Sequence, residues 1–226
     1  MRRGSWAVVW FVIGIGVGVL GVALSSVGQF LLNDVRTGHR MRQAQADLAG
    51  ELTGSTSATN DPRMTPSQMS SRRPSPSYGA QRPAIGDPVA TMRWRNYEFV
   101  VVEGVGSDQL AIGPGRYPST ALPGRPGNFA MAGHRVSYGA PFHDLDLLQP
   151  GDRIDVENRA GRLFVYRVVD FAVVNPDETW VISRDPLGTN RPMLTMTTCH
   201  PKLSDRQRLV VWAALDESRN AATAAG

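Results

Sequence analysis

Hydrophobic and polar positions along the chain change character twice. From Gly4 to Asn33 no residue is charged, and Trp6 to Leu32 is dominated by Val, Ile, Leu, Phe and Gly. About 20 apolar residues cross a bilayer as a helix, so this run predicts a membrane anchor. A cleaved leader fits less well, because its apolar part is only about 7 to 15 residues long. Residues 34–52 are polar, with Met41, Ala44, Leu48 and Leu52 at near-helical spacing. We expect no stable structure there, in preference to a short amphipathic extension. From Thr53 to about Pro88 the chain turns to Ser, Thr, Pro, Gly and Arg, with too little apolar surface to offset the entropy of ordering. As a disordered linker of this length it would hold a following domain on the order of 35 Å from the bilayer.

Beyond residue 90 the pattern becomes that of short strands. Strand character recurs over Tyr97 to Val105, Asn128 to Gly133, Arg153 to Asn158, Arg162 to Val174, Thr179 to Ile182, Leu194 to Cys199 and Arg208 to Ala213. Pro150-Gly151-Asp152 marks a turn, and Asn158-Arg159-Ala160-Gly161 marks a hairpin. Gly113 to Gly127 holds four prolines and four glycines in fifteen residues, which predicts a rigid loop without regular structure. Pro141 to Leu148 reads as a short helix seating Leu145 and Leu148 on the core, with His143 at the surface. The pattern predicts an all-β domain and does not choose between barrel and sandwich.

Charge sharpens this division. Residues 1–90 carry nine Arg against five acids, whereas 91–226 carry fifteen Lys or Arg against fifteen acids, so the whole +4 lies in the N-terminal part. A balanced, interspersed domain is not built for phosphate, which argues against nucleic acid as a partner. Gly16-Val-Gly18-Val-Leu-Gly21 matches a dinucleotide fingerprint, but it lies inside the apolar run with no strand and crossover helix around it. We therefore expect no cofactor. No cluster of ligand-type residues points to a metal either.

The chain has one cysteine, Cys199, so no intramolecular disulfide is available. Alternation through Leu194, Met196 and Thr198 delivers this thiol at the end of a strand, just before Pro201. A lone cysteine is more often inert than catalytic. What changes the reading is Ala-Gly-His-Arg at 132–135, where an imidazole follows a small-residue segment, together with an arginine at the start of the returning strand. Thiolate, imidazole and guanidinium form a set suited to acyl transfer: attack, proton delivery to a leaving amine, and support of an oxyanion. Of three candidate histidines, His134 is preferred. His200 neighbours the cysteine, so its side chain points to the opposite face of the strand. Arg206 and Arg208 are not separated by spacing alone.

Several ordered motifs resemble the sortases, and most closely the class E sortases of Gram-positive actinobacteria. They include Val-Val-Glu-Gly-Val, Gly-Pro-Gly-Arg-Tyr-Pro-Ser-Thr-Ala-Leu-Pro-Gly, Pro-Gly-Asn-Phe-Ala-Met-Ala-Gly-His-Arg and Leu-Thr-Met-Thr-Thr-Cys-His-Pro. The resemblance runs from about Val101 to Leu215. It implies an all-β, closed eight-stranded sortase-type β-barrel with short helices. Before the barrel come a cytoplasmic N-terminus and transmembrane anchor over residues 1–33 and an extracytoplasmic polar or disordered linker over 34–90. The catalytic domain then occupies 91–226, outside the cell membrane and facing the wall.

The resemblance also assigns roles. Cys199, His134 and Arg208 become the catalytic residues, and Thr197, Thr198, Tyr117 and Pro118 become candidates for binding substrate. The implied activity is a cysteine transpeptidase that cleaves a C-terminal sorting signal of the Leu-Pro/Ala-x-Thr-Gly type between Thr and Gly through a thioester. It passes the protein to an amine of peptidoglycan or of its lipid-linked precursor. Its partners are then surface proteins bearing sorting signals, the amine acceptor and the membrane. One departure is the entry to the first strand, where Met92-Arg-Trp-Arg-Asn-Tyr-Glu-Phe replaces the Pro-rich segment usual in close relatives. Two other readings are an L,D-transpeptidase, whose Ser-x-Gly-Cys setting Thr197-Thr198-Cys199 does not match, and a tethered non-catalytic β module at the wall.

Overall fold

The structure, a computed structural model, describes residues 37–52 and 82–220. The expected anchor and the disordered reading of 53–81 lie outside the described residues. Among the described residues no helix is long and apolar enough to cross a membrane.

Eight strands close into a barrel: β1 Pro88–Trp94, β2 Tyr97–Glu103, β3 Gly115–Arg116, β4 Asn128–Ala132, β5 Arg153–Asn158, β6 Arg162–Val174, β7 Met193–His200 and β8 Gln207–Asn220. Their order around the wall is β1-β2-β3-β4-β7-β8-β6-β5, with β5 returning to β1. Closure settles the choice between barrel and sandwich and leaves no open sheet edge at the seam. The interior is filled from alternate positions, Met92 and Trp94 on β1, Ile154 and Val156 on β5, Leu194 and Met196 on β7, Val211 and Ala213 on β8. A second, smaller core lies on the outer face of β7 and β8, where Met193, Val210, Trp212 and Ala214 meet Val174 and Val181. Strand β7 is therefore buried on both faces, from Met193 to Thr198.

Five expectations are corrected. Thr179–Ile182 is a single 3-10 turn and not a strand. The Ser183 N–H closes on the Trp180 carbonyl, and Glu178 holds the Trp180 indole N–H at 2.8 Å, so the local bonds turn the chain. Gly113–Gly127 is not wholly irregular, since Gly115 and Arg116 form β3, which pairs parallel with β2 and antiparallel with β4. Glycine is required at 115 because a Cβ there would collide with the Gly104 carbonyl.

Strand β1, Pro88–Trp94, was not among the expected strands, the first of which, Tyr97 to Val105, is β2; the segment from Met92 makes the β1–β2 hairpin with Trp94 stacked on Tyr97 at 4.6 Å. Residues 37–52 are helical (α1) where no stable structure was expected. Local propensity did not decide this; the barrel did. Met41 and Leu52 are buried, and the Gln45 amide bonds the barrel backbone, taking the Val100 N–H at 2.6 Å and donating to the carbonyls of Val100 and Ile112 at 3.1 and 2.7 Å. Two-residue β3 covers too little of β2 to reach Val100, and Gln45 fills that gap.

The expected short helix near 141–148 is a 3-10 turn over Leu145–Leu147, with Leu145 and Leu148 buried as expected. A further helix, α2, spans Ser107–Ile112.

Candidate active site

Strands β4 and β7 run parallel, with Ala130 opposite Thr195 and Ala132 opposite Thr197. This register brings the end of β4, and with it His134, beside the end of β7, where Cys199 lies. At Gly133 a Cβ would lie 2.7 Å from the Phe142 ring, so the chain passes close under that ring before presenting His134. Thr198, buried, donates its hydroxyl to the Gly133 carbonyl at 2.8 Å, and the Gly133 N–H bonds the Thr197 carbonyl. The two strand ends are thus bound to each other by the residues next to the candidate thiol and imidazole.

Cys199 and His134 line one cavity of about 400 Å³. Cys199 is half-buried and free. The His134 ring stacks on Tyr138 at 4.9 Å, and loss of solvent holds its pKa below the ordinary imidazole value. Burial therefore favours the neutral ring, the form able to accept a proton. Leu203, Ser204 and Asp205 of the β7–β8 loop and Thr37 of α1 complete the mouth.

Arg208 is the direct cross-strand partner of Cys199 in the β7–β8 ladder. Directly opposed residues share a face, so the arginine stands on the side of the sheet to which the thiol belongs. Its guanidinium Nη1 donates to the carbonyls of Asp205 and Gln207, at 2.8 and 3.0 Å, and Arg208 is not among the residues lining the cavity. Arg206, which spacing left as a rival, is exposed and precedes β8.

The four remaining candidates divide. Thr197 is buried, bonds the Met131 carbonyl at 3.2 Å and lies 3.1 Å from the Tyr117 hydroxyl, so Tyr117 and Thr197 meet across the face that carries Cys199. Thr198 points to the other face, into the Gly133 bond just described. Pro118 is exposed, and its carbonyl accepts from Arg116 at 3.4 Å.

The arginine next to the histidine was not foreseen. Arg135 is 3 % exposed, yet it reaches three partners: the Cys199 carbonyl at 3.3 Å, the His200 ring Nδ1 at 3.1 Å and the Asp146 carboxylate at 3.0 Å. His200 thus accepts at Nδ1 on the face away from the thiol. His143 is at the surface as expected, with 45 % of its side chain exposed, and donates from Nδ1 to the Arg135 carbonyl at 3.0 Å. The available signal was the His-Arg dipeptide itself, because a buried arginine is rare without partners.

We expect Arg135→Ala to cost about 1.5–3 kcal/mol of stability, the worth of charge-assisted bonds. Turnover should fall more than substrate affinity, since Arg135, although it lines the cavity, is buried and held by the Cys199 carbonyl, His200 and Asp146. Thermal unfolding and a split of kcat from KM check this. Arg135→Lys keeps the Asp146 pair and should recover stability before turnover.

A Sortase domain model matches residues 92–216, more than half of the chain. The chain belongs to the sortase family. Among relatives, Sortase SrtE1 of Streptomyces coelicolor is 37% identical over 106 residues, covering 44% of this sortase and 30% of that protein. Sortase D of Bacillus subtilis is 26% identical over 184 residues, covering 80% and 84%. Among solved structures, sortase E from Streptomyces avermitilis is 35% identical, with a TM-score of 0.56 over 62% of this chain and 95% of that one. The SrtF sortase from Corynebacterium diphtheriae is 32% identical, with a TM-score of 0.57 over 61% and 88%. The class E relatives are those that the motifs led us to expect. The match to the first of them spans less than a third of that relative's length.

Proposed function

We propose that this sortase is a cysteine transpeptidase that fixes proteins to the cell wall by way of a C-terminal sorting signal. The observation that carries the reading is a single cavity shared by the only cysteine and a half-buried imidazole, with an arginine paired across the ladder from the thiol.

In the proposed reaction His134 takes the thiol proton and the Cys199 sulfur attacks the Thr carbonyl of a Leu-Pro/Ala-x-Thr-Gly signal. The tetrahedral oxyanion collapses to a thioester as the Thr–Gly C–N bond breaks, and His134 returns the proton to the departing glycine amine. An amine of peptidoglycan or its lipid-linked precursor then attacks the thioester, releasing Cys199 as thiol. Arg208 faces the oxyanion once its guanidinium turns from the Asp205 and Gln207 carbonyls, a contribution worth roughly 3–4 kcal/mol for one such donor. Neither step calls for a cofactor or a metal.

The signal enters the cavity that Cys199 and His134 share, between the 134–138 segment and Leu203, Ser204 and Asp205 of the β7–β8 loop, with the Tyr117–Thr197 pair as the wall behind the thiol. The run Trp6–Leu32 anchors the chain in the cell membrane with the barrel outside.

The test is the full-length protein in detergent with fluorogenic Leu-Pro-x-Thr-Gly and Leu-Ala-x-Thr-Gly peptides and an amine acceptor, with ligated product measured across pH. Ligation is expected with at least one peptide. Activity should fall as pH drops through the His134 pKa, and that acid limb should have its midpoint below the ordinary value of about 6.5. The limb disappears in His134→Ala. Absence of ligation with both peptides at every pH defeats the reading.

The same burial carries a stability term. A histidine whose folded pKa is depressed stays neutral while the unfolded chain takes up a proton, so stability is lost as pH falls from about 6.5 toward the folded value.

A further inference from the structure

Helix α1 changes where the barrel sits relative to any membrane. With residues 34–88 as a free tether, the chain between the apolar run and β1 would reach about 40 Å on average. The helix removes that freedom. Gln45 makes its three bonds to Val100 and Ile112, Met41 lies 2 % exposed against Gly139, where a Cβ would collide with its sulfur, and Glu51 approaches Arg159 at 3.8 Å. Thr37, at the start of the described helix, lines the cavity that holds Cys199 and His134. Leu32, the last residue of the apolar run, is five residues earlier. Five residues span at most about 18 Å however they are arranged.

We infer that the mouth of the active site faces the bilayer surface and takes its substrates there, an inference that rests on the anchor proposed above. The orientation follows from the helix. From Thr37 to Glu51 it rises about 21 Å, which places the Arg159 hairpin at the end remote from the mouth. The rim of the mouth also has the chemistry of a surface that meets lipid. Leu203 on the β7–β8 loop is 80 % exposed, the most exposed of the large apolar side chains described, and it lines the same cavity as Thr37. Arg206 stands exposed nearby in the loop, and Arg40 and Arg42 are exposed on α1. Lys202 precedes Leu203 in the loop but lies 3.8 and 3.9 Å from Asp144 and Asp146, and Asp205 adds a negative charge to the rim. A single apolar side chain among cations suits the headgroup region, where Leu enters and Arg stays with phosphate. A substrate whose sorting signal directly precedes its own membrane segment, or an acceptor amine carried on a lipid, then meets Cys199 without leaving the membrane surface.

The test uses the full-length protein in phosphatidylcholine–phosphatidylglycerol vesicles doped with a headgroup nitroxide lipid. In a Cys199→Ala background one cysteine is introduced by Leu203→Cys or, at the remote hairpin, by Ala160→Cys, and labelled with a fluorophore. Quenching at position 203 is expected to exceed that at 160 severalfold. An insertion of about 20 Gly-Ser residues after Asn33, outside every described barrel contact, should bring the two positions to similar quenching. Equal quenching in the uninserted protein, or quenching at 203 that ignores the insertion, overturns the inference. A protein that does not float with the vesicles refutes the anchor and the inference with it. Neither result affects ligation by the wild type in detergent, which tests the transpeptidase reading separately.

Discussion

Cys199→Ala abolishes ligation, with turnover falling by roughly 10⁵-fold or more, the scale seen when a covalent nucleophile is removed. The chain has no second thiol to substitute for it. Loss of fold is not the cause, because Cys199 lies half-buried at the end of β7 and not within the closely filled stretch Met193–Thr198, so alanine leaves no enclosed void. Thermal unfolding should therefore be nearly unchanged while product formation stops. His134→Ala should do less damage, since the nucleophile itself remains, and its loss should be heaviest where the imidazole works, above the acid limb. Steady-state ligation by the three proteins, with unfolding measured in parallel, separates chemistry from stability.

The largest expected loss of stability comes from Glu103→Ala. Glu103 and Arg116 are 2 % and 1 % exposed and form a two-pronged pair, Nε to Oε2 and Nη2 to Oε1, each at 2.6 Å. The arginine also donates to the Thr120 and Pro118 carbonyls, so one guanidinium fastens β2 to β3 and to the loop that follows. Removing the carboxylate leaves a buried cation uncompensated, at a cost of about 3–5 kcal/mol. The melting temperature should drop by roughly ten degrees or more. In Glu103→Ala/Arg116→Met much of this should return, because the cost lies in stranding one charge more than in the worth of the pair. Ligation by the double variant should still be impaired, since Tyr117 would lose the anchored arginine beside it. Recovery of stability with full activity would show that the pair does not position this loop.

The barrel strands that were legible in the sequence are those with alternation over five or more residues, such as β5, β6 and β7. Alternation reports burial directly. What escaped was decided elsewhere in the fold. Strand β3 is two residues long and sits between prolines and glycines; it exists because Gly115 can pass against Gly104, a contact between residues far from any local pattern. The turn at Thr179–Ile182 has β-branched composition, but Val181 is needed beneath Trp212, whose indole N–H donates to the Val181 carbonyl at 2.9 Å. Helix α1 has weak periodicity and becomes a helix on the barrel through Met41, Gln45 and Leu52.

At the site, the sequence pointed to Cys199, His134 and Arg208 as a chemical set, and the parallel β4–β7 register and the β7–β8 ladder bring their backbones to one end of the barrel. The direction of the Arg208 guanidinium was not legible, because it depends on the carbonyls of its own loop. Nor was Arg135, whose partners Asp146, His200 and the Cys199 carbonyl lie 11 to 65 residues away.

Mass spectrometry of the full-length protein mixed with a sorting-signal peptide and no acceptor amine tests the central claim most directly. The account predicts an adduct of the peptide through its Thr, lacking the Gly, carried on Cys199 and released by hydroxylamine. Turnover of the peptide with no such adduct in either wild type or His134→Ala, or an adduct that persists in Cys199→Ala, would contradict it.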